Sequence, residues 1–242
     1  MKLLIIRHGD PDYYVDSLTE KGWREAECLS KELSRMEVTD FYVSPYGRAK
    51  DTASLTLQKM NRTAAELPWL KEFDMRIFRP DCPDKERIVW DWLPQDWTAE
   101  PRFYREDEWY KNEYLAPFDI EKEYRYVTGQ FDLLLEKHGY RRDGRIYRAE
   151  RPNHDTLAFF CHFGVEGVIL SHLWGVSPMI LWHDLCAAPS SVTTLVTEER
   201  RKGIANFRML AYGERTHLYV HGEPPAFAAR FCECFDDDTR HD

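Results

Sequence analysis

Two histidines and a neighbouring arginine carry the chemistry that this sequence suggests. His8 follows the apolar run 3–6 and Arg7, and His162 follows a second apolar run over residues 156–161. A neutral imidazole can act as a nucleophile or exchange a proton near neutral pH, and a guanidinium can bind two phosphate oxygens at once. These residue types at the ends of two apolar runs therefore indicate chemistry on a phosphoryl group.

Arg48 is expected at the same place, because it lies in the first turn after another predicted strand, residues 41–43. Ser44 and Pro45 are typical of a helix start, with the hydroxyl as N-cap and the proline at the first helical position. A helix N-terminus carries partial positive charge, and ligands of open α/β sheets bind outside the carboxyl ends of the strands. We therefore predict that two imidazoles, two guanidiniums and this helix terminus converge on a tetrahedral dianion.

The elements that must position these residues alternate between strands and helices. Two strand–helix units in succession predict a parallel sheet that is covered by helices. Thr19 is a suitable N-cap for the first helix, which has apolar residues at helical spacing. The predicted elements are strand 3–6, helix 19–36, strand 41–43, helix 44–60, a helix from 120 that stops at Gly139, hairpin 141–146, strand 156–161, helices 165–174 and 178–185, and strands 192–197 and 204–211.

Residues 74–117 interrupt this alternation with prolines, many charges and four of the eight tryptophans. The four are Trp90, Trp92, Trp97 and Trp109. We predict a cap of short helices and loops, inserted into a single domain over residues 1–242. The cap is expected to cover the phosphate site and to contact the rest of the substrate. An equally weighted alternative is that the tryptophans form the cap's own core. The cap segment also contains three further cations, Arg102, Arg105 and Lys111. We expect them to belong to a solvated run of charges and not to contact a second anionic group of the substrate.

The composition limits the classes of partner. The 242 residues carry a formal charge of −9, which argues against nucleic acid or an anionic membrane as a partner. No apolar run approaches the roughly 18 residues of a spanning helix, and Arg7 and His8 come too early for a signal peptide. The six cysteines are expected to be reduced thiols in the cytoplasm, and the Cys232–Cys234 pair is a weak metal signal. We expect no metal and no cofactor, and the oligomeric state is left open.

Four segments resemble the histidine phosphatase superfamily, whose fold is phosphoglycerate mutase-like. They occur in the family's order and are Leu4-Ile5-Ile6-Arg7-His8-Gly9, Leu18-Thr19-Glu20-Lys21-Gly22, Ser44-Pro45-Tyr46-Gly47-Arg48-Ala49-Lys50-Asp51-Thr52-Ala53, and His162 after its apolar strand. The resemblance covers residues 1–73 and about 156–212. It implies an α/β fold, a three-layer α/β/α sandwich with a mostly parallel sheet and an inserted cap.

The resemblance also implies roles for individual residues. His8 would be the nucleophile and form a phosphohistidine. Arg7, Arg48 and His162 would hold the phosphoryl oxygens and stabilise the transition state, with His162 also counted as catalytic. In the family a glutamate in a Leu-x-Glu context protonates the leaving group, and Glu72 fits that context, with Asp74 as the nearest competitor.

The implied activity is metal-independent hydrolysis of a phosphomonoester, with a small phosphorylated metabolite as partner. Two departures from the family pattern matter: the connection 10–17 lacks the asparagine of the mutases, and Phe163 stands where glycine usually follows the second histidine. The first departure favours a phosphatase. The alternatives are a phosphoglycerate-type mutase that uses the same histidine and a non-catalytic phosphate-binding module.

Overall fold

A computed structural model describes residues 1–227 and 232–237. Its strands are β1 (Lys2–Arg7), β2 (Pro11–Asp12), β3 (Ser17–Leu18), β4 (Asp40–Val43), β5 (Ala65–Glu66), β6 (Arg76–Arg79), β7 (Cys82–Ile88), β8 (Tyr140–Asp143), β9 (Ile146–Ala149), β10 (Thr156–Cys161), β11 (Val192–Arg201) and β12 (Ile204–Glu214). Its α-helices are α1 (Glu20–Leu33), α2 (Gly47–Met60), α3 (Pro94–Trp97), α4 (Ile120–Lys137), α5 (Phe163–Trp174), α6 (Pro178–Asp184) and α7 (Thr216–Val220). Within the described ranges, no helix has the length and apolarity to cross a membrane.

Eight strands form the central sheet, in the order β5-β4-β10-β1-β11-β12-β9-β8. The pairs β1–β10, β10–β4 and β4–β5 are parallel. On the other side of β1, strands β11, β12, β9 and β8 pair in antiparallel fashion. The sheet is therefore mixed, and its parallel half contains the strands that precede the predicted site residues.

Helices cover both faces of the sheet because the side chains of β1 alternate between two apolar clusters. Leu4 and Ile6 pack in a cluster with residues of α1 and α2. Leu3 and Ile5 pack in the other cluster, with residues of α4, α5 and α6. This arrangement confirms the predicted α/β class and the three-layer sandwich.

The start of α2 differs from the prediction. The helix begins at Gly47, with Tyr46 in the N-cap position, and the Ser44 hydroxyl does not cap it. Ser44 Oγ instead lies 2.7 Å from His162 Nε2 and accepts a hydrogen bond from the backbone N–H of Tyr46. The hydroxyl that looked like a helix cap is therefore used by the site.

Residues 74–117 contain an element that the sequence did not indicate. Strands β6 and β7 form a separate antiparallel hairpin, although the charged segment 82–88 lacks an alternating apolar pattern. A short helix and a 3-10 turn (Pro101–Tyr104) follow, as predicted.

Three of the four tryptophans in this segment are buried in the core that includes the sheet. Trp92, Trp97 and Trp109 belong to the same apolar cluster as β1 and α4. The ring of Trp109 packs edge-on against Trp182 of α6, with 5.5 Å between the ring centroids. These side chains thus belong to the core shared with the sheet and not to a separate core of the cap. Of the four, only Trp90 lines the cleft described below.

Candidate active site

His8 is buried at the end of β1 and its backbone is fixed on both sides. Its N–H donates to the carbonyl oxygen of Cys161 at 3.0 Å, and its carbonyl accepts from Ser190 at 2.9 Å. The ring Nδ1 lies 2.8 Å from the carbonyl oxygen of Gly9. Because a carbonyl oxygen only accepts, Nδ1 carries the proton and Nε2 keeps its lone pair.

His162 ends β10 and lies beside His8, with 5.1 Å between the ring centroids. Its Nε2 is held by the Ser44 hydroxyl. Its Nδ1 is buried and has no hydrogen-bond partner among the described residues. A buried polar atom of this kind is suited to a ligand oxygen.

Both imidazoles are kept neutral. Burial first, and then the charges of Arg7 and Arg48, hold the pKa of His8 well below its ordinary value of 6.5. For His162, burial and the neighbouring His8 and two arginines lower the pKa in the same direction. A neutral His8 has the lone pair that a nucleophile requires.

Arg7 is the last residue of β1 and its guanidinium is buried. One terminal nitrogen donates to the carbonyl oxygen of Ala187, and the guanidinium carbon lies 5.8 Å from the ring centre of Phe163. Its Nε is buried and has no partner among the described residues. Arg7 thus has a fixed position and an N–H group left for an anion.

Arg48 lies in the first turn of α2 and is 9% exposed. Its Nη1 donates to Asp16 Oδ1 at 2.5 Å, while Oδ2 of the same carboxylate accepts from the N–H of Gly47 at 2.7 Å. The predicted anion-binding terminus of α2 is therefore already occupied by Asp16. The Arg48 side chain itself faces the cleft.

Glu72 is buried and is held at the N-terminus of α5. Its Oε1 accepts from the N–H groups of Phe73 at 2.8 Å and Val165 at 3.1 Å. Burial raises the pKa of the carboxyl above its ordinary value of 4.5, although these hydrogen bonds oppose the change. Asp74 is half-buried nearby and faces the hydroxyl of Tyr46 at 3.5 Å.

These side chains meet at one cleft of about 490 Å³. Its lining residues are Arg7, Tyr13, Asp16, Tyr46, Arg48, Glu72, Asp74, Arg76, Ile88 and Trp90. The histidines lie against it, since the ring of Tyr46 packs 5.3 Å from that of His162. The structure therefore brings together all five residues predicted for the site, which are Arg7, His8, Arg48, Glu72 and His162.

Several residues of the cleft were not predicted. Asp16 lies in the short connection that drew notice only for lacking an asparagine, and Arg76 lies in the charged hairpin. Ser44 carried a signal, but it was interpreted as a helix cap. Contacts of this kind join segments far apart in the chain, and spacing along the sequence does not reveal them.

The three cap cations considered from the sequence do not line the cleft. Arg102 pairs with Glu100 at 2.6 Å, and Arg105 pairs with Glu108 at 3.6 Å. Lys111 lies over the ring of Tyr110. In the part of the chain that the structure describes, no group of three or more histidine, cysteine or acidic side chains is arranged to hold a metal ion.

Comparison with known proteins gives the same assignment. A family model described as the histidine phosphatase superfamily (branch 1) matches residues 3–115, which include Arg7, His8, Arg48 and Glu72. A 2,3-bisphosphoglycerate-dependent phosphoglycerate mutase from Thermoplasma acidophilum is 38% identical over 69 residues. That match covers 24% of this chain and about a third (34%) of the length of the relative.

Solved structures share the fold over most of the chain. A phosphoserine phosphatase mutant from Entamoeba histolytica, in complex with phosphoserine, has a TM-score of 0.59 at 16% identity, and covers 90% of this chain and 98% of its own. A mycobacterial glucosyl-3-phosphoglycerate phosphatase has a TM-score of 0.54 at 16% identity, with 88% and 98% covered. Together with the family model, these similarities confirm the resemblance that the sequence motifs indicated.

Proposed function

We propose that this chain, whose residues 3–115 match the model of the histidine phosphatase superfamily, is a phosphatase that hydrolyses a small-molecule phosphomonoester through a phosphohistidine on His8. The observation that carries the proposal is the state of His8. Its Nδ1 proton is held by the Gly9 carbonyl, its Nε2 keeps a lone pair, and its pKa is lowered by burial and by two guanidiniums. These are the requirements of a neutral imidazole nucleophile.

In the first step, His8 Nε2 attacks phosphorus and the bond from phosphorus to the ester oxygen breaks. Arg7, Arg48 and the free Nδ1 of His162 bind the phosphoryl oxygens as charge spreads over them. The guanidiniums supply the positive charge, so the proposed reaction is independent of a metal ion. Loss of one such donor costs about 3 to 4 kcal/mol of transition-state stabilisation, which is a hundred- to thousand-fold in rate.

The leaving alkoxide takes a proton from Glu72. The raised pKa of the buried Glu72 carboxyl keeps that proton available closer to neutral pH. In the second step a water molecule attacks the phosphohistidine and gives a proton to the Glu72 carboxylate. The bond from phosphorus to Nε2 breaks, and neutral His8 and inorganic phosphate are regenerated.

The cap would select the substrate. Arg76, Ile88 and Trp90 line the cleft and come from the cap hairpin and the residues after it. They offer a cation, an apolar side chain and an aromatic ring to the group esterified to the phosphate. A small phosphorylated metabolite fits this cleft size. A cytoplasmic location is consistent with the six cysteines, which form no disulfide among the described residues.

A mutase is the second candidate, and the sequence relative favours it. The Thermoplasma protein is named a phosphoglycerate mutase, and the match to it is 38% identical over 69 residues. A mutase would use the same phosphohistidine and return the phosphoryl group to a substrate hydroxyl in place of water. Phosphoglycerate isomerisation that is stimulated by bisphosphoglycerate would identify it.

The test is hydrolysis of p-nitrophenyl phosphate and a panel of natural phosphomonoesters, with EDTA present. Purified wild type is expected to release phosphate, and the His8→Ala variant to be inactive while still folded by circular dichroism. Rapid quenching in base, with an ester labelled in its phosphoryl group, should trap a base-stable phosphoenzyme in wild type alone, and this phosphoenzyme should be lost on later treatment with acid. No turnover by wild type from pH 5 to 8 over the whole panel would refute the phosphatase proposal.

A further inference from the structure

Asp16 contacts both the first helical residue of α2 and the arginine that follows it. Its Oδ2 accepts from the Gly47 N–H at 2.7 Å, and its Oδ1 accepts from Arg48 Nη1 at 2.5 Å. The Asp16 side chain is 45% exposed and lines the cleft, whereas the Arg48 side chain is 10% exposed. One carboxylate therefore joins the loop after β2 to the catalytic cleft.

This contact determines which edge of the guanidinium stays available. Nη1 of Arg48 is used by Asp16, and Nε is buried without a hydrogen-bond partner among the described residues. In a planar guanidinium the Nε and Nη2 hydrogens point along the same edge, which matches two oxygens of a phosphoryl group. The rings of Tyr46 and Tyr13 lie 4.8 and 5.3 Å from the guanidinium carbon and limit its rotation.

The backbone is built to bring Asp16 to this position. Asp16 has φ 51°, a left-handed conformation that residues other than glycine adopt infrequently. Gly47 allows the approach, since a Cβ there would lie 2.1 Å from the Asp16 carbonyl oxygen. An unfavourable conformation that is held by two hydrogen bonds and a close glycine contact points to a functional constraint.

We propose that Asp16 is the positioning residue of the phosphate site, which holds Arg48 by Nη1 so that its Nε–Nη2 edge meets the phosphoryl oxygens. The inference rests on the proposed function and concerns the same site. It assigns a task to a carboxylate that would otherwise only repel the anionic substrate. Asp16 acts through Arg48, so its contribution must vanish when Arg48 is absent.

The experiment measures binding of inorganic phosphate by calorimetry to wild type, Asp16→Ala, Arg48→Ala and the double variant. Misplacement of one phosphate ligand by about 1 Å can cost roughly a hundredfold, so we expect Asp16→Ala to weaken binding by about 10- to 100-fold. The double variant should bind phosphate as weakly as Arg48→Ala alone, to within about twofold, since coupled residues are not additive. If Asp16 had a purely structural role, its substitution would weaken phosphate binding further in the double variant than Arg48→Ala does alone.

Two further variants separate positioning from loss of folding. Asp16→Asn retains an acceptor oxygen for Nη1 and should lose less affinity than Asp16→Ala. Gly47→Ala keeps both Asp16 and Arg48 in the sequence, but the added Cβ displaces the Asp16 backbone carbonyl. This variant should therefore weaken phosphate binding as Asp16→Ala does. Asp12→Ala is the matched control, because Asp12 is the last residue of β2, directly before the loop that carries Asp16, accepts from the N–H of Tyr14 and does not line the cleft.

The outcomes distinguish the two proposals. Phosphate affinity in Asp16→Ala equal to that of wild type, or additive losses in the double variant, would overturn the positioning role. Wild type could bind phosphate, and the single and double variants could show the expected non-additive losses, while no ester is hydrolysed. In that case the phosphatase proposal fails and the positioning role of Asp16 stands. Absence of phosphate binding by wild type would overturn both.

Discussion

At the scale of single residues, the site is a set of neutral imidazoles among permanent cations. His8 and His162 are buried beside Arg7 and Arg48, and burial first, together with the neighbouring positive charges, lowers the pKa of each imidazole. The net charge of −9 gave no hint of this local field. The proposed reaction therefore takes its positive charge from the guanidiniums of these two arginines.

Glu72 provides a test of proton transfer to the leaving group. Its pKa is raised by burial, so the proposed acid is protonated at low pH and loses its proton as the pH rises, and the rate should fall on the alkaline side. Glu72→Gln should remove this limb of the pH profile. It should also slow an alkyl phosphate more than p-nitrophenyl phosphate, because only the alkoxide needs a proton to leave.

Pre-steady-state and steady-state rates for both esters, measured from pH 5 to 9, check this prediction. Asp74→Asn is the matched control, since Asp74 lines the same cleft and was the competing donor. Loss of the alkaline limb in Asp74→Asn but not in Glu72→Gln would transfer the role to Asp74.

At the scale of elements, the cap hairpin should set which esters are accepted. Arg76 begins β6, lines the cleft and has no ion-pair partner among the described residues. We expect Arg76→Ala to raise KM for esters that carry a second negative group and to leave p-nitrophenyl phosphate unchanged. An exposed charge contact of this kind contributes about 1 kcal/mol or less, so the expected rise in KM is roughly two- to fivefold.

Lys85→Ala is the control for this comparison, because Lys85 lies on β7 of the same hairpin, is exposed and does not line the cleft. The measurement is kcat and KM for a pair of esters that differ only in one carboxylate. An equal effect of both variants, or an effect of Arg76→Ala on p-nitrophenyl phosphate, would contradict the prediction.

Helix α1 links the loop after His8 to the C-terminal segment through a buried carboxyl. Glu25 accepts from the N–H of Asp10 at 2.8 Å and from that of Ala226 at 3.1 Å. Burial raises its pKa from 4.5 to about 7. Between these values the folded state binds a proton that the unfolded state has lost, so the contribution of Glu25 to stability falls as the pH rises from 4.5 to 7.

The glutamine in the Glu25→Gln variant cannot ionise, so this variant should not lose stability in this way as the pH rises. The difference in free energy of unfolding, variant minus wild type, should therefore rise by up to about 3 kcal/mol between pH 4.5 and pH 8. Urea unfolding at several pH values measures it. Glu27→Gln on the same helix should show no such rise above pH 5, because the ion pair with Lys59 lowers the pKa of Glu27. A flat difference for Glu25→Gln would contradict the prediction.

The elements themselves were predictable where one strand or helix carries its own signal. The apolar runs within β1 and β10 indicated buried strands, and the residue directly after each strand is a site histidine. The hairpin β6–β7 was missed because its second strand reads as a charged loop. Ser44, Asp16 and Arg76 were missed as site residues because their partners are set by tertiary contacts between separate segments.

At the scale of the whole molecule, the cap and the sheet share one apolar cluster. Trp109 is fully buried and packs against Tyr124 of α4 and Trp182 of α6. Trp109→Ala should lower the free energy of unfolding by about 3 to 5 kcal/mol, the usual cost of such a cavity. Since the cluster is continuous, cap and sheet should unfold in one transition.

Denaturant unfolding followed by both tryptophan fluorescence and far-UV circular dichroism tests this. The two probes should give coincident transitions in wild type. Trp23→Ala is the control, since Trp23 on α1 is 37% exposed. Its substitution should lower the free energy of unfolding far less than Trp109→Ala does. Separate transitions would show that the cap is an independent unit.

The position of β10 between β4 and β1 has a consequence for synthesis of the chain. Arg7, His8 and Arg48 are synthesised before β10, and β1 and β4 have no shared neighbour until residues 156–161 have followed. Until then each of these two strands presents an unpaired, apolar edge, which is a template for aggregation. We therefore expect the nascent chain to be prone to aggregation until β10 has been synthesised, and His8 and His162 can lie side by side only after β10 has paired with both β1 and β4.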